Sequence, residues 1–105
     1  MKHLFQEFQM LEAEARIATV EASRYLTGIA EAWVHTYPVR YDTLTAEIEL
    51  PGGELVMTAD GDSLSLRLIG SDRKRFDDTK ESVAKHVDRV AEYEAGVRCV
   101  WHEIS

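Results

Sequence analysis

The sequence predicts an α+β domain in two layers, an antiparallel sheet with two helices packed on one face. Two observations support this fold class. In two separate stretches the apolar residues recur at steps of three and four, which is the period of an amphipathic helix. Between those stretches apolar and polar residues alternate, which is the period of strands with one buried face. A run of strands with two helices set apart favours helices on one side of the sheet, in the order β-α-β-β-β-β-α-β.

The N-terminal residues 1–12 predict a short amphipathic helical arm, with Phe8 and Leu11 among the residues of its apolar side. A helix of this length is marginal alone, so the arm needs a surface to pack on, either its own sheet or a second subunit. The single α+β domain is predicted over residues 13–105, and its first strand over residues 13–19.

The first long helix follows, and its C-terminal end is the most informative part of the chain. Thr19 is placed to cap the helix. Pro38 ends it, because proline lacks an N–H donor and disfavours helical geometry in the residue before it. At about 100° per residue His35 lies roughly opposite the apolar stripe, so its ring is either solvated or in use. The stripe consists of Ala22, Leu26, Ile29, Ala30, Trp33 and Tyr37.

From Val39 the apolar period changes from that of a helix to that of a strand. A short strand over residues 39–42 leads into three longer strands, in which apolar and polar residues alternate. Two turn signals separate the longer strands, Pro51-Gly52-Gly53 and Asp60-Gly61-Asp62. The pattern predicts an antiparallel meander with one buried face.

A second helix is predicted after the meander, with Ser71 as its capping residue. His86 falls on the flank of its apolar stripe, which points the ring toward the sheet or the groove between the helices. Gly96 breaks the chain, and residues 97–104 predict a last strand. The stripe consists of Phe76, Val83, Val87 and Val90.

Charge and composition exclude several classes of function. The formal net charge is −7 and the isoelectric point is near 5.0. An acidic chain without a basic stripe is not expected to bind nucleic acid or an anionic membrane surface. The chain has no run of about 18 apolar residues and no secretory signal at its N-terminus, so a cytoplasmic location is expected. Cys99 is the single cysteine, which excludes an internal disulfide and a thiolate zinc site.

No motif of the chain implies a cofactor or a reaction. Phosphate-binding loops of the GxxxxGK[ST] and GxGxxG kinds are absent, as are HExxH and GxSxG. The remaining candidates for binding a ligand or a metal are His35, His86 and His102. A catalytic zinc needs about three protein ligands, and these histidines would have to converge from distant segments. Four aromatic residues could line a pocket between helix and sheet, although their spacing fits plain core equally well: Tyr25, Trp33, Tyr37 and Trp101.

Several segments over residues 14–102 resemble the uncharacterised bacterial family called domain of unknown function 2218. The segments are ARIATVEASRYL, WVHTYPVRYD, EIELPGGELVMTAD, SLSLRL and SVAKHVDRVA, with the late Trp101. Within them the resemblance depends on a helix that ends His-x-x-Pro-Val at His35, on Pro51-x-Gly, and on the second-helix His86. Family members often carry a second histidine one turn before the first and a lysine just after it. Here those positions are Ala32 and Thr36, so a metal site built on a His-x-x-His pair would keep only one of its two histidines.

The resemblance implies an accessory role, because domains of this family are frequent neighbours or fusion partners of siderophore-interacting, flavin-dependent ferric reductases. The first hypothesis is therefore a non-catalytic domain that binds a small ligand or a partner, associated with iron–siderophore utilisation, with a pocket lined by Trp33 or Tyr37. One alternative is a metal-dependent enzyme that uses His35 and His86, with or without His102. Another is a structural module that forms a homodimer through its arm and the open face of its sheet.

Overall fold

A computed structural model describes residues 10–104, so most of the predicted arm lies outside the described residues. The elements follow the predicted order, with β1 beginning two residues before its predicted start. They are β1 (Leu11–Ala18), α1 (Ala22–Trp33), β2 (Val39–Tyr41), β3 (Thr45–Leu50), β4 (Gly53–Ala59), β5 (Ser63–Gly70), α2 (Arg73–Val90) and β6 (His102–Ile104).

The described residues form one antiparallel sheet in which the first strand lies inside rather than at an edge. The strand order is β2-β3-β4-β5-β1-β6. All eight residues of β1 pair with β5, from Leu11 opposite Gly70 to Ala18 opposite Ser63. The other side of β1 pairs with β6. The two edge strands, β2 and β6, have three residues each, and such short edges offer little backbone for pairing with another chain.

The two faces of the sheet differ as the alternating pattern predicted. One row across four strands consists of Ala15, Leu66, Met57 and Ala46, all of which are buried under the helices. The neighbouring row, on the other face, includes exposed or half-buried charged residues such as Glu14, Arg67 and Glu47. Both helices therefore cover a single face, and Leu26 and Ile29 of α1 and Phe76 and Val83 of α2 complete the core.

The helix starts are close to their predicted positions but differ in detail. The predicted cap by Thr19 is wrong: the N-cap residue of α1 is Glu21, no side chain caps this helix, and the Thr19 hydroxyl instead accepts a 3.0 Å hydrogen bond from the backbone N–H of Glu21. At α2 the capping side chain is Asp72 and not Ser71, since the Asp72 carboxylate accepts from the backbone N–H of Arg75 at 3.0 Å. A carboxylate at this position is also favourable because the helix N-terminus carries partial positive charge.

The last strand is shorter than predicted, because the chain before it turns toward α2. Instead of extending the ladder on β1, Trp101 donates a 3.0 Å hydrogen bond from Nε1 to the carbonyl of Lys80. Two residues later Glu103 accepts from Arg73 at 2.9 and 3.0 Å and from Lys80 at 2.7 Å. The bonds from these two cations lower the pKa of Glu103 to about 2. The C-terminal segment is thus tied to α2 as well as to the sheet.

Within residues 10–104, neither helix is long and apolar enough to cross a membrane.

The turn between β3 and β4 touches α2 at Gly52. This glycine is buried, and its N–H donates to the hydroxyl of Thr79 at 3.0 Å. A Cβ on Gly52 would lie 2.1 Å from the carbonyl oxygen of Arg75 and 2.4 Å from Oγ1 of Thr79. Only a residue without a side chain lets the turn and the helix approach this closely.

We expect Gly52→Ala to lower the free energy of unfolding by about 2 kcal/mol or more, because the added methyl group must push the helix backbone away. Gly61→Ala is the matched control, since no described heavy atom lies within 4 Å of the added Cβ, and it should change stability by less than about 1 kcal/mol. Urea unfolding followed by circular dichroism measures both. Equal midpoints for the two variants would contradict the contact.

Candidate functional site

A surface cleft of about 220 Å³ lies between the end of α1, the β3–β4 turn and the first half of α2. We call it the Trp33 cleft. One side is apolar and comes from α1 and the turn, while the other side is one face of α2. Its lining residues are Trp33, Tyr37, Leu50, Pro51, Arg75, Asp78, Thr79 and Ser82.

The apolar side is positioned by the way α1 ends. Trp33 is the last residue of α1 and is 7% exposed. The backbone N–H groups of Thr36 and Tyr37 both donate to the Trp33 carbonyl, at 2.9 and 3.0 Å, which continues the turn for one more residue. Pro38 then directs the chain into β2. The geometry that ends the helix therefore places Tyr37 beside Trp33, where both line the cleft.

The opposite side is formed by residues at helical spacing. Arg75, Asp78, Thr79 and Ser82 stand at positions i, i+3, i+4 and i+7 of α2, so they share one face. Thr79 is buried and binds the backbone of the turn, while Arg75 and Asp78 are exposed. Asp78 accepts from Lys74 at 3.1 Å. Arg75 makes no ion pair with any residue of 10–104.

His86 borders the cleft through two contacts. Its ring stacks on the Trp33 indole with the centroids 4.1 Å apart and the planes 32° from parallel. Its Nδ1 lies 2.9 Å from the main-chain carbonyl of Ser82. A carbonyl can only accept, so this bond places the proton on Nδ1 and leaves Nε2 of a neutral ring as an acceptor. His86 thus contacts the other helix, as its place on the stripe's flank predicted.

The other two candidate histidines lie elsewhere. His35 is exposed in the turn after α1, and His102 is exposed on the edge strand, opposite Glu14. Across the described part of the chain, no three or more His, Cys, Asp or Glu side chains are grouped so that they could hold a metal ion. Residues 10–104 therefore contain no group of side chains that could serve as the ligands of the metal site considered from the sequence.

Of the four aromatic residues predicted to line a pocket, Trp33 and Tyr37 line the cleft and two do not. Trp101 is half-buried and bonded to α2, as described above. Tyr25 is 1% exposed and donates its hydroxyl hydrogen bond to Glu94, which also accepts from Thr19 at 2.8 Å. Burial, and then the bond to Glu94, raise the pKa of Tyr25. The bonds from Tyr25 and Thr19 lower the pKa of Glu94.

Cys99 is half-buried and packs against the core as a small hydrophobic residue. Burial, and to a lesser degree the charge of Asp88, raise the pKa of its thiol to about 12. The nucleophilic form of cysteine is the thiolate, so at neutral pH this thiol is protonated and unreactive.

The sequence analysis did not predict that α2 forms one side of the cleft. The spacing of the residues concerned does place them on one face of a helix: Arg75, Asp78, Thr79 and Ser82. That spacing does not say which helix face meets the β3–β4 turn, and polar residues at this spacing are common on solvated helices.

Comparison with known proteins identifies the fold and a family. A family model described as "Uncharacterized protein conserved in bacteria (DUF2218)" matches residues 14–102. The NMR structure of PA4090 from Pseudomonas aeruginosa is similar, with a TM-score of 0.72 and 20% sequence identity. The alignment covers 88% of this chain and 95% of that one. No curated protein matches. At this identity the structural likeness shows a common fold, and neither match carries an activity.

Replacing each of the three histidines by alanine should change the free energy of unfolding by different amounts. His86→Ala removes the stack on Trp33 and the bond to Ser82, so we expect it to lower the free energy of unfolding by about 1 kcal/mol. His35→Ala and His102→Ala remove exposed rings and should stay within about 0.5 kcal/mol of the parent. Urea unfolding of the three variants measures this, and a neutral His86→Ala would contradict the stacked geometry.

Proposed function

The chain belongs to the uncharacterised bacterial DUF2218 family, and on this premise we propose that it is a non-catalytic domain that binds a small ligand with a flat, apolar ring in the Trp33 cleft. The observation that supports this most directly is the placing of two aromatic side chains, Trp33 and Tyr37, on one side of a concave site. Binding sites for small molecules are mostly apolar and carry a few polar groups that fix orientation. Here α2 supplies those polar groups.

The size of the cleft limits the ligand. Pockets for drug-sized molecules measure roughly 300–1,000 Å³, and this cleft has about 220 Å³. That volume corresponds to about seven water molecules at their share of the liquid, roughly 30 Å³ each. A single ring with a short substituent fits, whereas a large chelate would remain mostly outside.

Binding is favoured over catalysis by the hydrogen bond of His86. A serine becomes a nucleophile when a base accepts its hydroxyl proton. In this structure His86 Nδ1 is bonded to the main-chain carbonyl of Ser82 and not to its hydroxyl. The pair therefore stabilises the helix without activating the side chain.

We propose further that the domain acts beside a partner protein. The family resemblance points to siderophore-interacting, flavin-dependent ferric reductases, and a cleft too small for an iron chelate favours protein contact over capture of the metal complex. Native mass spectrometry of the purified protein, alone and mixed with such a reductase, tests this proposal and the homodimer together. A heteromeric mass is expected, and only the two separate masses would count against it.

Titration with phenylacetamide, an uncharged single-ring probe, tests the binding function. We expect saturable shifts of the Trp33 indole N–H and of the Thr79 and Ser82 amides in ¹H–¹⁵N spectra. Tyr37→Ala removes part of the apolar side and should weaken binding about fivefold or more.

Tyr41→Ala is the matched control, because Tyr41 is an exposed tyrosine of β2 that does not line the cleft. It should change the dissociation constant by less than about twofold. If phenylacetamide produces no saturable shift at Trp33, Thr79 and Ser82, or if both tyrosine variants bind equally, the cleft is not the binding site.

A further inference from the structure

The basic residues at the start of α2 differ in whether they form ion pairs with carboxylates. Arg73 pairs with Asp77 at 3.0 Å and with Glu103 at 2.9 Å. Lys80 pairs with the same two carboxylates, at 3.3 and 2.7 Å. Arg75 alone among the basic residues 73–80 pairs with no carboxylate of the described chain, and it is the only one of them that lines the Trp33 cleft.

The single acidic residue that lines the cleft is already engaged. Asp78 is bonded to Lys74 at 3.1 Å. Both side chains of that pair are largely exposed, so solvent screens it and its net charge on the cleft is small. Among residues 10–104, the guanidinium of Arg75 is then the charge at the cleft that has no ion-pair partner. A planar guanidinium binds a carboxylate through two parallel hydrogen bonds, and such charge-assisted bonds are stronger than neutral ones.

The polar groups are arranged along the helix. Arg75 and Ser82 are seven residues apart, about 10.5 Å along the axis of α2. Trp33 lies at the Ser82 end, because its ring stacks on His86 one turn further along. A ligand that follows the helix therefore has its ring near Trp33 and its charged end near Arg75.

The charge of the protein limits how much negative charge a bound ligand can carry. One unpaired guanidinium can balance one negative charge, and a net charge of −7 repels more highly charged anions. A phosphate dianion is therefore disfavoured, and a monocarboxylate is favoured.

We propose that the ligand of the Trp33 cleft is a small aromatic monocarboxylate, with its ring against Trp33 and Tyr37 and its carboxylate on the guanidinium of Arg75. This inference depends on the proposed function, and it adds the chemical class of the ligand. Neither cofactor nor metal is needed for such binding.

The test compares phenylacetate with phenylacetamide, which has the same size and no charge, by titration at low ionic strength. We expect phenylacetate to bind about tenfold more tightly. Arg75→Gln should abolish that difference by weakening phenylacetate, while phenylacetamide, which can lose only the weaker hydrogen bond of a neutral amide, should weaken by less than about threefold. Asp78→Asn should tighten phenylacetate about two- to fivefold, since it removes a like charge and frees Lys74.

Arg89→Gln is the matched control. It removes the same charge from the last turn of the same helix, about 21 Å along the axis from Arg75. It should leave both dissociation constants unchanged within about twofold. All of these substitutions are at exposed positions, so folding is preserved.

The outcomes separate this inference from the function on which it depends. Equal affinity for the two probes, with both weakened by Tyr37→Ala, would overturn the carboxylate assignment and leave the binding site standing. Equal losses of phenylacetate affinity in Arg75→Gln and Arg89→Gln would also overturn it, since they would indicate a long-range field and no direct pair. If neither probe shifts the cleft residues, the binding function and the carboxylate inference are both wrong.

Discussion

The close approach of the β3–β4 turn to α2 is the constraint on which the rest of this structure depends. Gly52 lies against the helix backbone, and its N–H is satisfied by the hydroxyl of Thr79. This contact sets the height of α2 above the sheet and holds Pro51 opposite the helix face. The Trp33 cleft is the space that remains between the turn and the two helices, so its shape depends on this close approach of the backbone.

A second contact closes the other end of the cleft and makes the site preformed. The stack of Trp33 on His86 fixes the distance between α1 and α2, while the Gly52–Thr79 bond fixes α2 against the sheet. The groups proposed to meet the ligand are Trp33, Tyr37 and Arg75, and of these only Trp33 takes part in a contact of this kind, which holds its ring in place. Binding in such a site costs little ordering of the main chain, which favours affinity for a small molecule that can make only a few contacts.

Local patterns predicted the elements well, because helix and strand periods are properties of neighbouring residues. The apolar stripe of α1 is an example, although the helix ends at Trp33, a few residues earlier than Pro38 suggested. Relations between distant segments could not be read in the same way. Periodicity does not say that β1 lies between β5 and β6, nor that Arg75 faces the turn. It also does not distinguish Trp33, which lines the cleft, from Tyr25, whose equally good helical position places it in the core.

The interior position of β1 has a consequence for synthesis of the chain on the ribosome. Residues 11–18 find their long partner only when residues 63–70 have been made. At 5–20 residues per second, the 52 residues from 19 to 70 take about three to ten seconds to synthesise. During that interval the nascent strand exposes a face whose large apolar side chains, Leu11 and Ile17, lie near its two ends, with the small Ala13 and Ala15 between them. Small residues on a waiting strand reduce its tendency to associate with other nascent chains, and they leave room for the helices that cover it later.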